Sequence, residues 1–331
     1  MPAVELSLPA PPPLPAIEPP ARPPGSVAAG AGGEMGSRSL HRGRRSLLTR
    51  LAAVVALAIV IVAVVLVIHS LNTKSTPAVV APTVIRVVIP EGKTRLQIAQ
   101  IAAAAGLRGS YRAASKHSPL LNPQQYGAPA STPDLEGFLF PATYDEYPGV
   151  PVSRLVSGQL VAFKEDFGAD EFAAARALHV TPYQLLTVAS MVEREAVLPG
   201  DRAKIAAVIY NRLNREIPLG IDATTYYAVE LQTGIATYTH ELTEAQLHID
   251  SPYNTRTHIG LPPTPISNPG LASIEAAGHP ADVGYLYYVA GADGCGEQVF
   301  SSSLSQFEAD VAAYKEAVRK NGGHPPVCKK K

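Results

Sequence analysis

Two glutamates two residues apart, Glu193 and Glu195, follow the segment TPYQLLTVASMV, and a carboxyl group is the commonest side chain for passing a proton to a bridging oxygen. If the segment is a helix, side chains at this spacing diverge by about 200°. They cannot then face each other across a scissile bond at the ~5–9 Å that most two-carboxylate glycosidases use. Any proton chemistry here belongs to one of them or to neither. The segment does predict a helix: Thr181 can cap it, Pro182 occupies the first helical position, and Leu185, Val188, Ala189, Val192 and Ala196 form one apolar face. Glu195 falls beside that face, one turn above Met191, whereas Glu193 and Arg194 lean toward solvent. Desolvation beside an apolar face raises a carboxyl pKa and favours the protonated acid. From the residues alone, two ordinary surface glutamates remain the other reading.

Other chemistries find less support. The two cysteines, Cys295 and Cys328, have no adjacent His, no C-x-x-C or H-E-x-x-H occurs, and the nine histidines are scattered, so no metal site and no thiol nucleophile is expected. With 28 basic and 28 acidic side chains and a pI near 7.1, nucleic acid is not an expected partner.

The elements that must position a working carboxyl follow from the composition along the chain. Ten of the 31 prolines precede residue 25, in a Pro, Ala and Gly tract that reads as a disordered tail. Arg38, Arg42, Arg44, Arg45 and Arg50 then stand directly before the 18 apolar residues LAAVVALAIVIVAVVLVI, Leu51 to Ile68. At 1.5 Å per residue this run covers about 27 Å, enough to cross a bilayer with its flanking leucines. Arginines on the N-terminal side alone place the tail in the cytoplasm and everything after about residue 72 outside. Both cysteines would then lie where disulfides persist, and Cys295 and Cys328 either tie the tail to the body or stay apart. Beyond a linker, Val84 to Ile89 reads as a strand, a Pro-Glu-Gly turn follows, and a helix begins with apolar Leu96, Ile98, Ala99, Ile101 and Ala102. LEGFLFPATYDEYPG reads as an aromatic strand and a turn, four helices follow from residue 152, YLYYVA and EQVFSS read as a hairpin, and SLSQFEADVAAYKEAVRK is a last helix.

ASMVEREAVLPGDRAKIAAVIYNRL resembles the signature of the endolytic murein transglycosylases, the MltG or YceG-like family, with its ExE element followed by an Asn-Arg-Leu helix. LEGFLFPATY, LGIDATTYYAV, SPYNTRTHIGLPPTPISNPGLASIEAAGHP and the closing YLYYVA and FSSSLSQFEADV are similar to further family segments in the same order, over about residues 84 to 320. VVIPEGKTRLQIAQIA resembles the strand and helix of the family's LysM-like subdomain. The resemblance implies an α+β fold: a single-pass membrane anchor, a small LysM-like strand-helix subdomain and a mainly helical catalytic domain with a short β-hairpin. The corresponding bounds are a disordered Pro-rich cytoplasmic tail at 1–46, a transmembrane helix at 47–71 and a linker at 72–82. A partial LysM-like subdomain at 83–132, the catalytic domain at 133–320 and a disordered tail at 321–331 complete the chain.

The resemblance also implies a membrane-anchored lytic transglycosylase that cleaves the MurNAc-β-1,4-GlcNAc bond inside peptidoglycan strands and leaves 1,6-anhydroMurNAc ends. It needs no cofactor. Its partners would be glycan strands, peptidoglycan synthases and, through one helix, membrane lipid. The family's catalytic glutamate falls on Glu195, with Glu193 as the alternative. Tyr253, Asn254 and Thr255 match the family's YNT and would offer polar groups to sugar oxygens, or form an ordinary turn. Asp222 orients a donor or caps the next helix, Arg202 and Asn211 lie on the helix after the catalytic one, and Glu136 braces the site. The chain departs from the family pattern at Gly220 (Gln), Ala142 (Asp), Ala223 (Pro) and, near Glu308, a missing His. Two rivals are a non-catalytic peptidoglycan-binding scaffold and a muramidase that hydrolyses with water. The topology is testable with protease added outside spheroplasts: it should digest the body and spare a fragment of roughly 70 residues carrying the arginine cluster. A protected body contradicts it.

Overall fold

The computed structural model describes residues 43–72, 83–235 and 241–328, in two compact units divided after Val79. The first unit's described part is helix α1, Gly43–Asn72. Its stretch Arg50–Ser70, 21 residues with mean hydropathy 3.5, is the one helix among the described residues long and apolar enough to cross a membrane. The side chains from Leu51 to Ile68 are all exposed, as a span without protein neighbours would be. Most of the proline-rich tail and the linker expected at 72–82 lies outside the described residues; helix already runs from Gly43 within the expected tail.

The second unit opens with strand β1, Ile85–Val88, and a turn at Gly92 that leads into α2, Arg95–Ala104. Thr94 and Gln97 close a reciprocal capping box at the start of α2. A one-turn helix α3, Tyr111–Ala114, and a 3-10 turn at Pro123–Tyr126 follow. Strand β2, Thr143–Glu146, pairs antiparallel with β1, Ile85 opposite Glu146. β1 therefore completes its sheet with residues from beyond position 132.

LEGFLF is not the strand its aromatics suggested. The backbone N–H groups of Gly137 and Leu139 both donate to the side-chain oxygen of Asn268, each at 2.9 Å, so they are spent on a side chain rather than on a ladder. Phe138 and Leu139 are fully buried in that loop, and the strand forms only at the following TYDE.

Helices α4 (Val152–Asp166), α5 (Ala169–Ala177), α6 (Pro182–Glu195), α7 (Arg202–Leu213), α8 (Asp222–Thr233), α9 (Glu244–Leu247) and α10 (Leu271–Gly278) follow. Strands β3 (Tyr287–Ala290) and β4 (Gln298–Ser301) form an antiparallel hairpin, and α11, Leu304–Lys320, closes the unit behind a Ser303 cap. A disulfide joins Cys295 in the hairpin tip to Cys328 beyond α11, which settles the pairing that the sequence left open.

The unit is organised around α6. Its capping box forms as the sequence indicated, Thr181 Oγ1 accepting from Gln184 N at 3.1 Å and Gln184 Oε1 from Thr181 N at 2.8 Å. The expected face of Leu185, Val188, Ala189 and Val192 is fully buried, but so are Leu186, Ser190 and Met191 on the remaining sides. α7 and α10 pack along it, and the Pro-rich segment after Leu261 supplies the rest of the cover: Ser190 Oγ accepts from Ile266 N at 3.0 Å and Ser267 Oγ donates to Ser190 O at 3.1 Å.

Candidate active site

Glu195 is the last residue of α6, and the chain leaves the helix at Ala196 with an extended backbone. Its side chain is partly buried. Tyr288 Oη, reaching from β3, donates to Glu195 Oε2 at 3.0 Å, and the backbone N–H of Ala223 at the start of α8 also favours its charged form. Burial raises the Glu195 pKa, the nearby Asp222 charge raises it further, and the Tyr288, Ala223 and Arg194 contributions only partly oppose them. A negative charge at the carbonyl end of a helix is itself unfavourable. The group is therefore kept as an acid at higher pH than an ordinary glutamate.

Glu193 projects to the other side of the helix, as the 200° divergence requires, but it does not lean toward solvent. Its carboxylate accepts from Gly270 N at 3.1 Å, at the N-terminus of α10, and from Ser273. Burial raises its pKa too, with Glu91 adding repulsion and Arg202 opposing it. The packing around it is tight, since a Cβ on Gly270 would overlap the Glu91 carboxyl. Glu193 thus holds α10 against α6 and Arg202, whose Nε donates to Ser273 Oγ at 3.2 Å, completes that cluster.

The remaining candidates divide between the two sides. Asn254 and Thr255 are 0% and 1% exposed, so their side chains cannot meet a sugar directly. Asn254 Nδ2 donates to the carbonyls of Leu247 and Ile249 at 3.1 and 3.0 Å, while its Oδ1 accepts from Thr225. Thr255 Oγ1 accepts from Ile221 N at 3.0 Å and shares a hydrogen with Thr224 Oγ1 at 2.8 Å. Together they fix the first turn of α8, which presents the Ala223 N–H to Glu195. Gly220, where the family pattern has Gln, has φ +63° and donates its N–H to Thr255 O at 2.9 Å, a left-handed conformation that glycine takes without steric cost.

Asp222 is the first residue of α8 and exposed; it makes no capping bond, and Arg256 Nε donates to it at 2.9 Å. Tyr253 is partly buried, its hydroxyl 3.0 Å from Thr264 Oγ1 and its ring edge-on to Tyr227 at 5.1 Å. Glu136 is buried away from Glu195. It accepts from Arg95 N at 3.0 and 3.1 Å, from Asn268 Nδ2 at 2.7 Å and from Tyr227 Oη at 3.2 Å, and burial pushes its pKa up to about 8 against these donors. It braces α2, α8 and the segment carrying Asn268. Asn211 Nδ2 donates to the carbonyls of Val283 and Tyr285 at 2.8 and 2.9 Å, upstream of β3.

Sequence reasoning missed Tyr288, Arg212 and the Ala223 N–H. Arg212 Nε donates to Leu286 O at 2.6 Å and its guanidinium lies 5.0 Å over the Tyr287 ring, so Asn211 and Arg212 jointly fix the start of β3. The signal for both was present in YNRL and YLYYVA, yet neither segment says that one strand residue reaches back to α6. No group of three or more His, Cys, Asp or Glu side chains suited to a metal ion occurs among the described residues.

If Asn254 orders α8 rather than touching substrate, Asn254→Ala should lower stability by about 1 kcal/mol, because two half-buried carbonyls lose their donor. Thermal melting would check this, and a variant that melts normally but binds glycan poorly would return Asn254 to the substrate side.

The comparisons with known proteins agree with this architecture. The model of the YceG-like family matches residues 65–313. Over 176 residues the chain is 39% identical to a Bacillus subtilis (strain 168) protein named endolytic murein transglycosylase, covering 52% of this chain and 46% of that protein. A Streptococcus pneumoniae (serotype 2, strain D39) protein of the same name is 31% identical over 229 residues, covering 63% of this chain and 41% of the relative. The chain thus spans less than half the length of these curated relatives. A crystal structure of a yceG-like protein from Listeria monocytogenes superposes with a TM-score of 0.57 and 31% identity, covering 70% of this chain and 76% of the other. With three quarters of its length matched in order, the chain belongs to the YceG-like family.

Proposed function

We propose that the protein is a lytic transglycosylase that cuts the MurNAc-β-1,4-GlcNAc bond within peptidoglycan strands, with Glu195 as its catalytic acid and then base. The single observation that carries this reading is the placement of Glu195: a carboxyl at the end of a buried helix, its pKa raised by burial and its Oε2 accepting from Tyr288 Oη. The names of the relatives support the substrate.

In the first step Glu195 gives its proton to the glycosidic oxygen as the C1–O bond of the muramic acid breaks. The resulting carboxylate then takes the proton of the sugar's own 6-hydroxyl, whose oxygen closes on C1. Atoms balance without water, and Glu195 ends protonated for the next cycle. The 6-hydroxyl is delivered covalently, with an effective concentration of ~10⁵ M or more for well-oriented groups. Tyr253 and the exposed Asp222–Arg256 pair at the start of α8 support the sugar beside Glu195. Glu193, Arg202, Asn211, Glu136, Asn254 and Thr255 act as supports through the protein.

One observation favours a second reading. Asp222 lies near enough to raise the Glu195 pKa and is exposed, so a hydrolase would use it to activate water. Arg256 Nε, however, already donates to its Oδ1 at 2.9 Å.

Apolar α1 anchors the chain in the membrane with its N-terminus in the cytoplasm and the catalytic region, 133–320, outside. Residues 83–132 act as a partial LysM-like region, and peptidoglycan synthases are the protein partners. Purified full-length protein assayed on sacculi tests the assignment of Glu195. Glu195→Gln should lose at least ~10²-fold in cleavage, since it keeps size but not the transferable proton, and Glu193→Gln should lose less. A dead Glu193 variant beside an active Glu195 variant would reverse the two roles.

A further inference from the structure

The β3–β4 hairpin is built around the bond from Tyr288 to Glu195. Tyr288 is partly buried in β3, its ring 5.9 Å from Phe300 in β4, and its hydroxyl donates to Glu195. Everything near it fixes where that hydroxyl sits. At one end, Asn211 and Arg212 of α7 bind three carbonyls between Val283 and Leu286. At the other end, the buried Asp201, just before α7, accepts from Gln298 N at 2.9 Å. On the outer side α11 packs through Phe307 on Tyr287, their rings stacked 5.1 Å apart, and the Cys295–Cys328 disulfide ties the tip to the chain beyond α11. Two strands of four residues have little stability of their own. This pair is fastened at both ends and on its outer side.

Glu195 needs such a holder. It is the terminal residue of its helix, the chain departs immediately after it, and three χ angles separate the carboxyl from the backbone. We propose that Tyr288 is a positioning residue that holds the Glu195 carboxyl in the orientation for proton transfer and sets the pH range over which it works as an acid. This rests on the reading of Glu195 as the catalytic acid. Tyr288 occupies Oε2 as a donor, so it fixes the plane of the carboxyl and favours its anion. The charged and titratable groups facing this pair are Asp222 from α8, Arg194 from the same helix as Glu195, and Arg212 from α7 on the Tyr288 side.

The sign follows from the donor. Removing the hydroxyl withdraws stabilisation from the carboxylate, so the Glu195 pKa rises. Activity that needs protonated Glu195 is lost as pH rises through that pKa, so the alkaline limb moves upward. Replacing Tyr288 with 3-fluorotyrosine leaves the shape nearly unchanged and makes the phenol a stronger donor, so the limb moves downward.

The test is a pH profile of sacculus cleavage by the full-length protein in detergent, with kcat and KM separated on soluble glycan strands. Tyr288→Phe should lower kcat by roughly 10- to 100-fold with KM changed less than about threefold, and move the alkaline limb up by about one pH unit. The fluorotyrosine protein should move it the other way, and it serves as the folded variant if Tyr288→Phe loses its thermal transition. Tyr287→Phe, which keeps the stacked ring, should match the wild type. If the wild type cleaves and Glu195→Gln does not, unmoved limbs in both Tyr288 proteins overturn the positioning role and leave Glu195 as the acid. Full activity in Glu195→Gln overturns the reading beneath it.

Discussion

A carboxyl group at the carbonyl end of a buried helix is in an unfavourable place to ionise, and the polar groups around Glu195 are arranged around that fact. The carbonyl end of the α6 dipole lies at Glu195, and burial removes water that would otherwise solvate the charge. Protonated, the group is comfortable; ionised, it depends on donors. The fold supplies two from separate elements, a phenol from β3 and an amide N–H from the first turn of α8. These donors favour the anion while burial and Asp222 oppose it, a balance that suits the proposed role of giving up and regaining one proton.

Each donor has its own support, and the supports account for most of the polar residues buried nearby. Thr255, Thr224 and Asn254 hold the start of α8 through hydrogen bonds to Ile221 and to the loop after α9. Asn211 and Arg212 hold the approach to β3. A third cluster braces the far side: Glu136 and Asn268 join α2, the 137–139 loop and α8 through Tyr227, and Glu230 of α8 accepts from Thr94 at the start of α2. Buried polar groups at this density are tolerable because nearly every one is paired. Removing one member leaves the others unsatisfied, so these residues tie function to stability.

Helical periodicity made the fold's main elements legible, and it worked best where side chains alternate between core and water. Thr181, Pro182 and the apolar spacing of α6 located the helix and its start, and hence the opposite orientations of Glu193 and Glu195, but carried its apolar face to Ala196, where the chain leaves the helix. It failed where the backbone bonds to distant side chains: LEGFLF reads as a strand, but Asn268, some 130 residues away, takes its N–H groups. Periodicity also gave one apolar face to a helix that is buried on several, so Glu193 read as solvent-facing when α10 covers it. The YNT residues drew attention as polar groups for sugar, and only their burial shows them bonded within the protein. Tyr288 stayed hidden because a tyrosine in a half-buried strand is ordinary until its hydroxyl has a partner.

The central claim is that one carboxyl does both proton transfers and that the sugar's own hydroxyl is the nucleophile. Mass spectrometry of the muramic acid ends released from sacculi by the purified protein tests it most directly. The account predicts 1,6-anhydro ends, lighter by one water than reducing ends and inert to borohydride, appearing first on long fragments. Predominantly reducing muramic acid ends would contradict it, keeping the glycan as substrate but making water the nucleophile and Asp222 the first candidate for its base.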